Sequence, residues 1–232
     1  MQRFLIGLAA LLCGYFALGV LRASPGTAQS ANATVSILPA EKLSTCITAI
    51  AAQSDPAKLA TLGRRQANPR LKRILYYLAE ARAAGADPAV VIDQAQKQNG
   101  SNGTPRAPLV KASLLRNLKI CDGLGMITPD NLVKLKRGNA PTVMRGPYAG
   151  QIAEVDHIVP LAEAGRIGNE LANLELLPAA LNRAKSDKVG ERQLVLAKRF
   201  HDVGILSDAE FIDVQARFIP AGTEKYQLQE QQ

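Results

Sequence analysis

Tryptophan is absent from this sequence, and aromatic residues of all kinds make up only 4% of it. Proteins that bind single-stranded nucleic acid without sequence preference commonly stack bases on aromatic side chains. The scarcity of aromatic residues therefore argues against a base-stacking platform as the main binding device. Charged residues make up 21%, and the formal net charge is +8. A basic protein is attracted to phosphate backbones without distinguishing sequences, although an anionic membrane or envelope polymer would attract it equally.

The first residues predict export from the cytoplasm. Arg3 precedes an uncharged apolar stretch over residues 4–21, and small and polar residues follow it. This order is typical of a secretory signal peptide, here residues 1–28, with cleavage after Ala28 or Ala33. The predicted location is the periplasm or the extracellular medium. Because the apolar stretch reaches the roughly 17 to 25 residues that a membrane span needs, an uncleaved membrane anchor is the alternative.

Cysteine is also rare, with three residues in the chain. Cys13 would leave with the signal peptide, so Cys46 and Cys121 remain. An even count in an exported protein favours a disulfide between them. Both lie in apolar helical patterns, and closing the loop between them would contribute roughly 4 kcal/mol to stability. The alternative is two unpaired, buried thiols.

Residues 35–138 are predicted to be mostly helical. A capping residue followed by proline is a common helix start, and it recurs at Asp55-Pro56, Asn68-Pro69, Asp87-Pro88 and Thr128-Pro129. One apolar stripe marks the core face of a helix, formed by Leu71, Ile74, Leu75, Leu78 and Ala81. We expect Gly85 to end this helix. A polar loop over residues 98–105 would then lead to a helix over residues 111–121.

Three short blocks in the C-terminal half carry the residues for chemistry. They are Glu154-Val155-Asp156-His157-Ile158-Val159-Pro160, Asn173-Leu174-Glu175-Leu176-Leu177-Pro178 and Asn182-Arg183-Ala184-Lys185-Ser186-Asp187-Lys188. A hard divalent ion prefers oxygen ligands, and a neutral imidazole suits proton abstraction. The set is therefore equipped to activate water beside a phosphate, which predicts a metal-dependent nuclease.

In residue type, order and spacing, the blocks resemble the HNH family, the ββα-metal endonucleases, and most closely the HNH domain of CRISPR effector nucleases. The resemblance covers residues 145–200. It implies His157 as the general base, Asp156 and Asn182 as metal ligands, and Asn173 as the residue that fastens the intervening loop. Asn182 stands where the family name has its last histidine, and its neutral amide oxygen favours Mg²⁺ or Mn²⁺ over zinc. Many relatives carry paired Cys-x-x-Cys zinc knuckles, which this chain lacks, so no structural zinc is expected.

The residues around the blocks also predict local structure. Residues 152–159 are rich in branched apolar side chains and stop at a proline, which favours a strand. Asp156 and His157 lie at its end, and the backbone must curl there if both are to approach one phosphate, because successive strand side chains point to opposite faces. Residues 174–177 predict a second strand, and residues 178–188 a helix that follows it.

Further polar residues are candidates for supporting roles. Asn182 and Lys185 share a face of the predicted helix, which would aim Lys185 at a phosphate oxygen. Arg183 and Arg145 are further candidates for nucleic-acid binding. The alternative for Lys185 and Arg183 is a solvated helix face. Glu154 is either a hydrogen-bond partner of the metal ligands or a solvated strand position.

The predicted fold class is α+β. A mostly helical region over residues 35–138 would pack on an HNH (ββα-metal) domain over residues 139–220, with two helices after the motif and a flexible polar tail over residues 221–232. The predicted function is an exported endonuclease that hydrolyses DNA, with RNA as an alternative substrate, one Mg²⁺ or Mn²⁺ ion and low sequence specificity. No obligate protein partner is implied, and the existence of an inhibitor protein is left open. The competing hypothesis is a non-catalytic basic protein that binds nucleic acid or envelope polymers on an HNH-like scaffold.

Overall fold

The fold is α+β, as the sequence predicts. A computed structural model describes residues 38–220 except Glu163 and Ser186. Within this part of the chain, helices precede and follow a two-stranded antiparallel sheet. The predicted signal peptide and the predicted flexible tail lie outside the described residues. No helix among the described residues is both long enough and apolar enough to cross a membrane.

The described elements are six helices, a two-stranded sheet and three further helices, in that order along the chain. The helices before the sheet are α1 (Leu38–Ser54), α2 (Pro56–Ala60), α3 (Ala67–Ala83), α4 (Pro88–Gln98), α5 (Ala107–Gly123) and α6 (Pro129–Arg137). The sheet pairs β1 (Ala153–His157) with β2 (Leu174–Pro178), and the connection between them contains 3-10 turns at Gly165–Ile167 and Leu171–Asn173. The helices after the sheet are α7 (Ala179–Lys185), α8 (Glu191–Asp202) and α9 (Asp208–Ala216). Both predicted strands and the two helices predicted after the motif are therefore confirmed.

Most of the predicted helix starts are correct. Side-chain caps confirm three of them, at Asp55, Asp87 and Thr128. The fourth is displaced, because α3 begins at Ala67 rather than at Pro69. The N–H of Ala67 is capped by the side-chain oxygen of Asn169, at 3.1 Å. A cap that lies 102 residues away in the chain leaves no local sequence signal.

Helix α3 supplies the predicted core stripe. All five of its predicted residues are buried, namely Leu71, Ile74, Leu75, Leu78 and Ala81. The helix packs against α1, α4, α5 and α6, and Gly85, with a φ of 86°, follows its end. Buried residues of the helical part and of the sheet belong to one hydrophobic cluster. The sheet is therefore supported by the helices that precede it in the chain.

The predicted disulfide is wrong. Cys46 on α1 and Cys121 on α5 are both buried, free thiols, which was the alternative that the sequence left open. Lys42 on α1 pairs with Glu80 of α3, whereas Asp122 on α5 pairs with Arg82 of α3. Since residues two apart on a helix face different directions, α1 and α5 lie against different sides of α3.

Polar side chains of α5 brace the edge of β2 that does not pair with β1. Asn117 donates a hydrogen bond to the carbonyl of Leu174 at 2.9 Å and accepts one from the N–H of Leu176 at 2.8 Å. Ser113 donates to the carbonyl of Leu171 at 2.8 Å, just before the strand. Both side chains are fully buried. Because a two-stranded sheet is marginal by itself, the amide of Asn117 takes the part that a third strand would play.

Candidate functional site

Four polar side chains meet between β1 and α7, and we call them the carboxylate cluster: Glu154, Asp156, Asn182 and Lys185. Glu154 and Asp156 are two residues apart along β1, so their side chains lie on the same face of the sheet. Asn182 and Lys185 are three residues apart on α7 and share the face that packs on the sheet. The amide nitrogen of Asn182 donates to Glu154 Oε2 at 2.8 Å, and Lys185 Nζ lies 2.6 Å from Asp156 Oδ2.

Asp156 and Lys185 form a nearly buried ion pair. Their side chains are only 12% and 11% exposed. Lys185 also donates a hydrogen bond to the backbone oxygen of His157, at 2.8 Å. Burial raises the pKa of the Asp156 carboxyl, and the positive charge of Lys185 opposes that rise. The positive charge of Lys185 therefore favours the ionised form of this buried carboxyl.

His157 is held as a neutral imidazole. Its Nε2 lies 2.9 Å from the carbonyl oxygen of Gly168, and the residue is only 7% exposed. A carbonyl can only accept, so Nε2 carries the proton and Nδ1 keeps the lone pair. Burial lowers the pKa of His157, the bond to Gly168 raises it in part, and the positive charges of Arg65, Lys185 and Arg64 lower it further. The ring is therefore neutral near neutral pH, with Nδ1 unprotonated.

The implied base and metal ligands are neighbours, but each has its own contact. Asp156 faces Lys185, His157 faces Gly168, and Asn182 faces Glu154. Within the described residues, no hydrogen bond joins the side chains of Asp156, His157 and Asn182 to one another. Strand alternation accounts for the separation, because it sends Asp156 and His157 to opposite sides of β1. Lys185 contacts both the Asp156 carboxylate and the backbone oxygen of His157.

Asn173 ties the connection between the strands to the end of β1. The residue is fully buried. Its side-chain oxygen accepts from the N–H of Val159 at 2.8 Å, and its amide nitrogen donates to the carbonyl of Val159 at 3.0 Å. Its own carbonyl accepts from the N–H of Ile158 at 2.8 Å. These three bonds extend the pairing of the two strands just past His157.

The two candidate arginines lie outside this network. Arg183 is exposed on α7, next to Asn182. Arg145 is exposed as well, and its side-chain stem crosses the turn at Gly125, where a Cβ would come within 2.8 Å of it. Neither arginine makes an ion pair within the described residues. No contact joins Arg145 to the carboxylate cluster in that part of the chain.

Sequence reasoning missed several residues near the site. The charges of Arg64 and Arg65 act on His157, although these residues belong to the loop between α2 and α3. Glu175 is fully buried opposite Asp156 in the sheet, and Arg192 donates to it at 3.0 Å. Glu175 could have been recognised from the sequence, because a glutamate within an apolar strand is typical of a buried ion pair. The arginines gave no comparable signal, because nothing in their local pattern relates them to a strand end far along the chain.

No protein-family model matches this chain, and no curated protein or solved structure matches it either. The function is therefore inferred from the residues and their geometry.

Proposed function

We propose that this protein is an exported, metal-dependent endonuclease of the HNH (ββα-metal) type that hydrolyses phosphodiester bonds of DNA, with RNA as an alternative substrate. One observation carries the proposal. The imidazole of His157 is buried, neutral and tethered through Nε2 to Gly168, at the end of the strand that carries the buried Asp156 carboxylate on its other face. The order of strand, strand and helix around it supports the resemblance noted in the sequence.

The oxygen donors of the site suit Mg²⁺ or Mn²⁺. Asp156 offers a carboxylate oxygen, and Asn182 an amide oxygen, since its amide nitrogen is the atom bound to Glu154. Magnesium is commonly held by one or two protein ligands together with water and phosphate oxygens. The described residues contain no group of three His, Cys, Asp or Glu side chains that could hold a metal ion, so water and substrate would complete the coordination. Lys185 would leave Asp156 as an ion binds there.

His157 and Lys185 would have different roles in the reaction. His157 would take a proton from the attacking water at Nδ1. The water oxygen would bond to phosphorus as the bond between phosphorus and the 3′ oxygen breaks, and the departing oxygen would gain a proton from solvent, which gives 5′-phosphate and 3′-hydroxyl ends. A bound divalent ion would stabilise the negative charge that develops on the phosphate oxygens. Lys185, once released from Asp156, would neutralise a neighbouring phosphate oxygen.

The proposed enzyme has low sequence specificity and acts outside the cytoplasm. The formal net charge of +8 attracts phosphate backbones, and contacts to phosphate carry no sequence information. The predicted signal peptide would deliver the protein to the periplasm or the medium, or hold it at the membrane if it is not cleaved. In either place a nuclease can degrade foreign DNA without meeting the chromosome.

A plasmid cleavage assay tests the proposal. We expect the purified protein to cut supercoiled DNA with Mg²⁺ or Mn²⁺ and not with a chelator. The variant His157→Ala should cut at least about 100-fold more slowly, because it lacks the base, while keeping salt-sensitive DNA binding. His201→Ala is the matched control, since His201 is the other histidine of the chain and pairs with Asp208 at 2.8 Å. If the unmodified protein cuts no faster than His157→Ala with either ion, the catalytic proposal is wrong.

The second candidate function is a non-catalytic basic protein that binds nucleic acid or envelope polymers. The ion pair between Asp156 and Lys185 favours it, because the carboxylate already has a cation at 2.6 Å. In that case the protein would bind DNA without cutting it, and Mn²⁺ would leave its melting temperature unchanged. An endonuclease would melt at a higher temperature with Mn²⁺, because an ion that binds only the folded state stabilises that state.

A further inference from the structure

The loop between α2 and α3, residues 61–66, carries two adjacent arginines, and we call it the arginine loop. Arg64 and Arg65 are both exposed, and neither pairs with an acidic side chain within the described residues. Arg65 has a φ of 63° and is the one non-glycine residue with a positive φ in that part of the chain. This conformation costs free energy for any residue with a Cβ, and such strain is concentrated at functional sites.

One side chain, Asn169, anchors the arginine loop. Its amide nitrogen donates to the carbonyls of Leu62 and Gly63, at 3.0 and 3.1 Å. Its oxygen accepts from the N–H of Ala67 at 3.1 Å. These bonds hold the backbone on both sides of the two arginines, so the loop keeps a fixed position although its tip is exposed.

The anchor adjoins the tether of the proposed base. Asn169 follows Gly168 in the chain, and the carbonyl of Gly168 holds Nε2 of His157 at 2.9 Å. The two-residue segment 168–169 therefore positions the imidazole with one residue and the arginine loop with the next. The charges of Arg64 and Arg65 reach the imidazole, which agrees with this arrangement.

We propose that the arginine loop binds the phosphate backbone of the nucleic acid beside His157, with Arg64 and Arg65 as the residues that contact phosphate. This inference rests on the proposed endonuclease function and adds a binding element from the helical part of the chain. A guanidinium group presents its N–H donors in a planar arrangement that matches two phosphate oxygens. Two arginines without an acidic partner in the described part of the chain, on a loop of fixed position, can therefore each bind a phosphate group. Asn169 acts through the loop and is a positioning residue.

The test compares substrate affinity with turnover in the full-length protein. The variants are Arg64→Ala and Arg65→Gly, and glycine is chosen because it accepts a φ of 63° without strain. Each should raise the KM for plasmid DNA about tenfold and change kcat less than about threefold. Each should also reduce the slope of log affinity against log salt by about one. Arg65→Gly should melt at the same temperature as the unmodified protein or higher, because the backbone strain is relieved.

A charge-matched control separates a local contact from general attraction. Arg137→Ala combined with Arg199→Ala removes the same two charges from exposed positions on α6 and α8. This control should raise KM much less than Arg64→Ala combined with Arg65→Gly, the double variant of the arginine loop. Asn169→Ala removes no charge, yet it should raise KM as well, because the loop loses its anchor. Equal effects of the two double variants, or no effect of Asn169→Ala in a folded protein, would overturn the inference.

Failure of the inference can be told apart from failure of the proposed function. If the unmodified protein cuts DNA and the arginine-loop variants cut with the same KM, only the inference is wrong. If the unmodified protein does not cut, binding of a labelled DNA duplex is measured in chelator. Weaker binding by the arginine-loop variants than by the control would then still support a phosphate-binding loop, and unchanged binding would overturn it.

Discussion

Two adjacent residues at the end of β1 show how burial sets the charge state of the site. Burial raises the pKa of Asp156 and lowers the pKa of His157, so it disfavours the charged form of both. The imidazole consequently stays neutral, as a base must. For the carboxylate, the positive charge of Lys185, 2.6 Å away, opposes the effect of burial. The site thus combines a neutral imidazole with a buried carboxylate that has a cation beside it.

Replacing Lys185 with methionine tests whether a metal ion can take the place of its ammonium group. In chelator, Lys185→Met should lower the free energy of unfolding by about 2 kcal/mol, because the buried Asp156 loses its positive partner. Added Mg²⁺ should then raise the melting temperature of this variant more than that of the unmodified protein, since no ammonium group competes for the carboxylate. Thermal unfolding with and without Mg²⁺ measures both effects.

The control for this experiment is Lys119→Met, which removes a lysine from the exposed face of α5. It should respond to Mg²⁺ as the unmodified protein does. Equal Mg²⁺ shifts in Lys185→Met and Lys119→Met would show that the ion does not bind at Asp156.

At the scale of elements, α5 determines where β2 lies. Asn117 completes the hydrogen bonds of the strand edge opposite β1, and it is fully buried while doing so. The strand in turn leads directly into α7, which carries Asn182 and Lys185. A helix distant in sequence therefore helps to position the carboxylate cluster.

Asn117→Leu tests this brace, because leucine has a similar volume and no polar atoms. The change leaves the N–H of Leu176 without its side-chain partner, whereas the carbonyl of Leu174 keeps the hydroxyl of Ser113 at 3.2 Å. An unsatisfied buried group costs about 1–3 kcal/mol, so we expect the free energy of unfolding to fall by about 2 kcal/mol. Urea denaturation measures it. Asn139→Leu changes an exposed asparagine and should be nearly neutral; an equal effect of the two substitutions would contradict the role of Asn117.

Local signals in the sequence predicted elements that are stabilised by neighbours in the chain. The caps at Asp55, Asp87 and Thr128 act within their own helices, and the apolar stripe of α3 has helical spacing, so both were predictable. Contacts between distant segments were not. The cap that Asn169 gives to α3 and the brace that Asn117 gives to β2 depend on how segments meet in three dimensions. For the same reason the sequence did not indicate Arg64 and Arg65, because their positions depend on the hydrogen bonds of the distant Asn169.

For the molecule as a whole, ion pairs tie the helices where the sequence predicted a disulfide. Lys42 on α1 pairs with Glu80 on α3 at 2.7 Å, and Arg82 on α3 pairs with Asp122 on α5 at 2.7 Å. Cysteine count and predicted export favoured a covalent bond, but they carry no information about the sides of α3 on which α1 and α5 pack. The shared hydrophobic cluster therefore holds the helical part to the sheet without a covalent bond in the described residues.

Free, buried thiols make the stability of the whole molecule independent of reductant. We expect the melting temperature to be the same with and without dithiothreitol, because no bond between Cys46 and Cys121 is available to break. Burial raises the pKa of Cys121 to about 12 and also raises the pKa of Cys46, so few thiolates form at pH 8. Both cysteines should react with iodoacetamide far more slowly in the native protein than in urea, and peptide mass spectrometry distinguishes them from Cys13. The disulfide prediction would be correct after all if protein isolated from an exporting host had no free thiol at Cys46 and Cys121 and melted at a lower temperature after reduction.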